Sequence, residues 1–242
     1  MKHGFAYLSQ NRFLSVPNDA STKPFGVAGI PYDGAVTNRP GARFAPAAIR
    51  QASQMLCDGI HPFFNTSPYE FIRDLGDLAT PNTDLTAMRA SLAEQVPALL
   101  AQYHMCWLGG DHSITLGLLR AYRAWAGQPL AVLHFDAHCD TWEDHFGEPS
   151  GHGTWVYEAI TEGLVDPESF VQVGIRSAGV REAREYVRDQ GGVIFTARDL
   201  RGLESEGQLS EVIQTIRQRL SAKGLPVYLT LDIDCLDPAF AP

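Results

Sequence analysis

Nowhere in the 242 residues is there an apolar run approaching the ~20 residues that a membrane-crossing helix needs. The amino-terminal stretch MKHGFAYLSQNRFLSVP has a single lysine and lacks the apolar core of a secretion signal. Cysteine is scarce: Cys57, Cys106, Cys139 and Cys235 form no CxxC pair and no short-range framework. They read as buried thiols in a reducing compartment, and the chain as a cytoplasmic protein. Positive charge is in short supply too, with 19 basic against 28 acidic residues and a formal charge of −9. That balance argues against nucleic acid or an anionic membrane as a partner and suits metal ions or a cationic substrate. Repeats, low-complexity tracts and linkers are also missing, so 45% apolar and 19% charged residues describe one α/β domain with a substantial core.

Short apolar runs alternate with longer amphipathic ones. Strands are predicted at Phe25–Ile30, Tyr69–Arg73, Met105–Leu108, Leu130–Phe135, Phe170–Ile175, Val193–Thr196 and Val227–Ile233. Helices are predicted from Pro46 to Leu56, from a cap at Thr83 or Asp84 to Tyr103, and at Ser113–Trp125, Thr154–Glu162, Val180–Gln190 and Gln208–Lys223. Pro97 falls inside the second helix and predicts a kink or break there. This rhythm argues for one mostly parallel sheet covered on both faces.

The stretch that organises the rest is VLHFDAHCD, Val132 to Asp140. An apolar β-prone run leads straight into Asp136, His138 and Asp140, spaced two apart, and an extended chain would send all three to one side. Single Asp or His residues at strand ends are ordinarily turn formers or caps. Three in register would repel and take up protons unless a cation held them. Two more strands end in similar chemistry, CWLGGDHS with Asp111 and His112, and VYLTLDIDCLD with Asp232 and Asp234. Ligands in such sheets gather at the carboxyl ends of the strands. Two histidines (His112 and His138) and four carboxylates (Asp136, Asp140, Asp232 and Asp234) make up the set. Oxygen ligands with a little imidazole suit manganese, iron or magnesium, and four carboxylates balance two divalent ions better than one.

The segments GGDHS, HFDAHCDTW, SGHGTW and LTLDIDCLDPAFAP, with PGARFAPAAIR at Pro40–Arg50, resemble the motifs of the ureohydrolase family of arginases, agmatinases and related guanidino-acid hydrolases. The likeness is closest to agmatinases and runs over nearly the whole chain, with Ala45 where many members have Gly. It implies a three-layer α/β/α fold with a mostly parallel central sheet, two Mn2+ per subunit, a homo-oligomer (trimer or hexamer), and hydrolysis of agmatine to putrescine and urea. One metal would be held by His112, Asp136, Asp140 and Asp232, and the other by Asp136, His138, Asp232 and Asp234. Asp140 and His152 are the candidates for delivering a proton to the departing amine, and Asp111 is read as orienting a ligand. His134 is read as a satisfied core histidine, and His145 as either solvated or functional.

Substrate choice is expected to rest on TWEDHFGEPSG, Thr141–Gly151. It lacks the Asn that arginases use for an α-amino acid head, while Glu143, Asp144 and Glu148 would attract a cationic tail and repel a carboxylate. Agmatine is therefore favoured over guanidinobutyrate and other guanidino acids. Family members continue beyond the equivalent of Pro242 for roughly one further βα unit. The chain is thus expected to lack a last, mid-sheet strand carrying a glutamate toward the guanidinium, leaving open a non-catalytic metal-binding subunit or fragment. A metal-dependent deacetylase is disfavoured, because His138 and Asp234 would then be idle.

Overall fold

The computed structural model describes residues 11–17, 23–57, 59–203 and 206–241. The chain divides into two compact units, Met1–Ala121 and Tyr122–Pro242, each with its own parallel sheet.

In the first unit β1 (Phe25–Ile30) lies between β2 (Ile72–Asp77) and β3 (His104–Gly109), parallel to both. Every residue of β1 after Phe25 is buried, as suits a continuous apolar run with strands on either side. The second strand starts later than its composition suggests. Residues Pro68–Glu70 instead close a 3-10 turn in which the Ser67 hydroxyl accepts the Tyr69 N–H at 3.2 Å. Helix α1 (Ala45–Ser53) has Pro46 in its first turn and tightens into a 3-10 turn through Leu56. Helix α2 (Leu85–Leu100) starts at Asp84, whose carboxylate accepts the Ala87 N–H at 2.9 Å. Its buried residues Met88, Leu92, Val96 and Leu100 recur every fourth position, a single apolar stripe. Pro97 does not break it: so close to the carboxyl end, the missing N–H costs a single helical bond. Helix α3 (Ile114–Ala126) passes close to α2 at Gly117, where a Cβ would stand 3.0 Å from Leu92.

Beneath this sheet a charged group is fully buried. The Arg50 guanidinium gives Asp74 two hydrogen bonds (2.8 and 3.1 Å), reaches Asp77, and donates to the Gly76 carbonyl at 2.9 Å. Asp74 also accepts the Phe13 N–H at 2.6 Å, so one ion pair fastens α1, β2 and the amino-terminal segment together.

The second unit orders its strands β6-β5-β4-β7, all parallel: β4 (Leu130–Phe135), β5 (Val165–Ile175), β6 (Val193–Thr196) and β7 (Val227–Leu231). β5 begins five residues before its apolar core, since Val165 pairs with Leu130 before the register shifts and Phe170 pairs with Val132. The helices are α4 (Trp155–Thr161), α5 (Arg181–Arg184), α6 (Tyr186–Asp189), α7 (Ala197–Leu200) and α8 (Glu206–Ser221). The single helix expected over Val180–Gln190 is two one-turn pieces, because Glu185 (φ −100, ψ 0) departs from helical geometry between them. Ala183 and Val187, one turn apart, still bury together. Leu130, Val132, Phe170, Val171 and Trp155 are at most 2% exposed, and burial of such side chains contributes roughly 1.5–3 kcal/mol each.

The parallel strands expected from the sequence are present, in sheets of three and four strands. Among the described residues β2 and β3 are the edges of the first sheet, and β6 and β7 those of the second. No helix among the described residues is long and apolar enough to cross a membrane.

Candidate metal centre

The aspartates that follow β3, β4 and β7 share one local device. Each carboxylate accepts the backbone N–H two residues on: Asp111 from Ser113 (2.9 Å), Asp136 from His138 (2.6 Å) and Asp232 from Asp234 (3.1 Å). This corrects the extended-chain reading of the ligand spacing. β4 stops at Phe135 and β7 at Leu231, before the first ligand of either run. The side chains that alternation would align are gathered by a curled backbone instead, and Asp140 has the left-handed φ of 54°.

In the second unit β4 and β7 are neighbours in register, Phe135 opposite Leu231, so Asp136 and Asp232 leave adjacent strand ends. Asp136, His138 and Asp234 each offer a ligand atom within 4.8 Å of the others. His138 Nδ1 stands 2.9 Å from Asp234 Oδ2 and 3.5 Å from Asp136 Oδ1. Between these carboxylates its imidazole is pushed up to about 10, by Asp136 first and Asp234 second, against partial burial. Asp136 is 1% exposed and His138 half-exposed, so the cluster is walled on one side and open on the other. Asp234 is steadied through Oδ1 by the Ala137 N–H at 3.0 Å. His134 and Asp140 also lie beside Asp136, with ligand atoms within the same 4.8 Å. Asp232 is outside both groups, its Oδ1 taken up by the turn to Asp234. The donors are carboxylate and imidazole; Cys139 is buried, and burial raises its thiol pKa. This set fits a hard divalent cation.

Asp140 is 4% exposed and its Oδ2 accepts the Trp155 indole N–H at 2.7 Å. His152 meets His145 edge to face, ring centroids 4.9 Å apart, and His145 leans on Trp142 at 6.4 Å. Partial burial and the neighbouring His152 lower the His145 pKa. Glu143, Asp144 and Glu148 are all exposed. Asp144 caps its own loop through the Gly147 N–H (2.9 Å), and Glu148 pairs with His145 through the backbone (2.8 and 2.9 Å). In the first unit Asp111 is 6% exposed and accepts from the Ser113 N–H and, at 3.0 Å, from the Ala35 N–H. Those bonds make it a holder of loops. His112 follows it at the entrance to α3.

Sequence reasoning overlooked three residues. Gln172 is fully buried on β5, and a polar amide inside FVQVGI was the signal available. Glu158 accepts both Ser150 Oγ (2.8 Å) and Thr154 Oγ1 (2.7 Å), bracing the segment around His152. Arg176 donates to the carbonyls of Asp234 (2.6 Å) and Leu236 (3.0 Å), clasping the turn that carries Asp234.

The sequence profile of the Arginase family matches residues 23–242. The chain belongs to the arginase family. Its family likeness is agmatinase-like: the agmatinase of Cronobacter sakazakii is 39% identical over 99% of this chain and 73% of its own length. The chain spans 66% of the agmatinase of Neisseria meningitidis serogroup C and 64% of that of Chromobacterium violaceum. Among solved structures, proclavaminate amidino hydrolase from Streptomyces clavuligerus superposes with a TM-score of 0.84 at 34% identity, covering 98% of this chain and 78% of that one. A hypothetical agmatinase from Burkholderia thailandensis gives 0.82 at 35% identity, covering 96% and 71%. Parallel strands flanked by helices are therefore the arginase fold in this chain, and the chain is a ureohydrolase of the agmatinase-like kind.

Proposed function

We propose that this arginase-family chain is a binuclear manganese hydrolase that converts agmatine and water to putrescine and urea. The observation that carries the reading is the convergence of Asp136, His138 and Asp234 at neighbouring strand ends, in a chain with this likeness to agmatinases. The proposed ligands are His112, Asp136, Asp140 and Asp232 for one ion and Asp136, His138, Asp232 and Asp234 for the other. When bound, the two ions supply Lewis acidity and lower the pKa of water far enough for attack on a guanidinium carbon near neutral pH.

The protein's own groups do the rest. Asp136 and Asp234 carry the negative charge that gathers cations and, in the metal-free protein, hold a proton on His138. Asp140 is oriented by the Trp155 indole, and with His152 it stands as the candidate to pass a proton to the departing amine. Glu143, Asp144 and Glu148 give the exposed loop a negative field that draws a cationic tail. Urea release with added Mn2+, compared as kcat/KM for agmatine, arginine and 4-guanidinobutyrate, tests the reading. Agmatine should be preferred; a preference for 4-guanidinobutyrate would overturn the role given to the acidic loop, and no urea from any of the three would overturn the hydrolase.

A further inference from the structure

Gln172 and His134 face each other in register on β5 and β4, both with no exposed surface. The Gln172 amide nitrogen donates to the Cys139 carbonyl at 2.8 Å and lies 3.1 Å from His134 Nδ1. Turning the amide over would set its oxygen against the Cys139 oxygen, so the NH2 group must face this way. His134 Nδ1 is then an acceptor, and the proton of the neutral ring sits on Nε2, which is 2.8 Å from Asp136 Oδ2. The amide oxygen of Gln172 is buried without a hydrogen-bond partner, a desolvation cost that an apolar side chain at this position would not incur.

One of the amide's N–H groups therefore runs to His134 beside Asp136, and the other to the carbonyl of Cys139, which precedes Asp140. One acts through His134 on Asp136, leaving Asp136 Oδ1 to face His138. The other holds the Cys139 carbonyl, the peptide that leads into the left-handed Asp140. The ring of His134 is fixed edge to face against Trp155 (4.9 Å) and Phe170 (6.3 Å), and Trp155 in turn grips Asp140. We propose that Gln172 and His134 are positioning residues of the metal centre: a single buried amide orients Asp136 through His134 and Asp140 through the Cys139 carbonyl. Groups that orient a metal ligand without touching the metal are typically worth about 10–100-fold in metal affinity. This proposal rests on the cluster being a metal centre, as argued above.

Its test uses the full chain and Mn2+ itself. Equilibrium dialysis should show Gln172→Met and His134→Phe binding Mn2+ about 10–100-fold more weakly than the unaltered protein. His134→Gln, which restores an N–H at similar reach, should recover most of that loss. Urea unfolding of the metal-free variants gives the control, since a purely structural role would lower stability in all three while leaving the affinity of the folded fraction intact. Independently of any variant, 15N shifts of the metal-free protein should report the Nε2–H tautomer for His134. An Nδ1–H tautomer, or unchanged Mn2+ affinity in folded Gln172→Met and His134→Phe, overturns the proposal. If the unaltered protein binds no Mn2+, the metal-centre reading fails instead, and the tautomer still decides whether the relay exists.

Discussion

Replacing Asp136 by Asn changes almost nothing in size and nearly everything in the cluster. Two N–H groups point at its two oxygens, the His138 backbone at 2.6 Å and His134 Nε2 at 2.8 Å. An asparagine offers one oxygen, so its NH2 must oppose one of those donors at a site 1% exposed. Leaving that donor unsatisfied costs about 1–3 kcal/mol, partly offset because a charge no longer has to be buried. The larger effect falls on metal binding. Losing a ligand's charge should exceed the 10–100-fold expected when only a supporting group is lost, so Mn2+ affinity should fall by about 100-fold or more, ~2.7 kcal/mol at 1.36 kcal/mol per decade. In the metal-free protein His138 loses one of its two carboxylate partners, and its pKa should fall from about 10 while Asp234, 2.9 Å away, keeps it above the ordinary 6.5. Equilibrium dialysis against Mn2+ and an NMR titration of His138 read the two effects separately. Unaltered Mn2+ affinity together with an unmoved His138 titration would refute the geometry from which both follow.

Three further outcomes are expected. Arg50→Met leaves Asp74 and Asp77 buried without their cation and should cost about 3–5 kcal/mol in urea unfolding; a loss under 1 kcal/mol would mean the pair is more open to water than its burial implies. Arg176→Ala releases the carbonyls of Asp234 and Leu236 and should weaken Mn2+ binding by roughly tenfold with little loss of fold stability, which calorimetric titration beside a thermal melt would check. The His138 pKa of about 10 lies above its ordinary value of 6.5. Its contribution to the stability of the metal-free protein is therefore complete below pH 6.5 and is lost as pH rises through 10. Mn2+ must displace that proton, so apparent affinity should climb across the same window, with about one proton released by His138 at pH 8; titration in two buffers of different ionisation enthalpy measures it.

What could be read from the sequence was whatever local chemistry decides. Leu130–Phe135 and Val193–Thr196 are strands with the bounds their apolar runs suggest, and Asp84 and Pro46 sit where capping and first-turn rules put them. Strand boundaries went astray where a turn competed: Ser67 captured the start of the second strand, and side-chain-to-backbone bonds ended β7 before Asp232. The grouping of Asp136, His138 and Asp234 was legible as a set of residue types, but not the means of gathering them, because periodicity carries no signal for an aspartate that folds its own backbone. Gln172 and Arg176 escaped notice because their partners are 33 and 58 residues away, one a carbonyl, the other the Asp234 turn, and sequence spacing says nothing about either.

The β7 edge bears on how the protein behaves in a test tube. Val227, Leu229 and Leu231 are 51%, 60% and 55% exposed, alternating along an uncharged VYLTL segment that pairs with β4 along one side. A β-prone strand with no charge, no proline and an apolar face in water is a template for recruiting like strands. In the 242-residue chain, association through this edge should therefore rise with protein concentration and persist in high salt, where charge-driven association would dissolve.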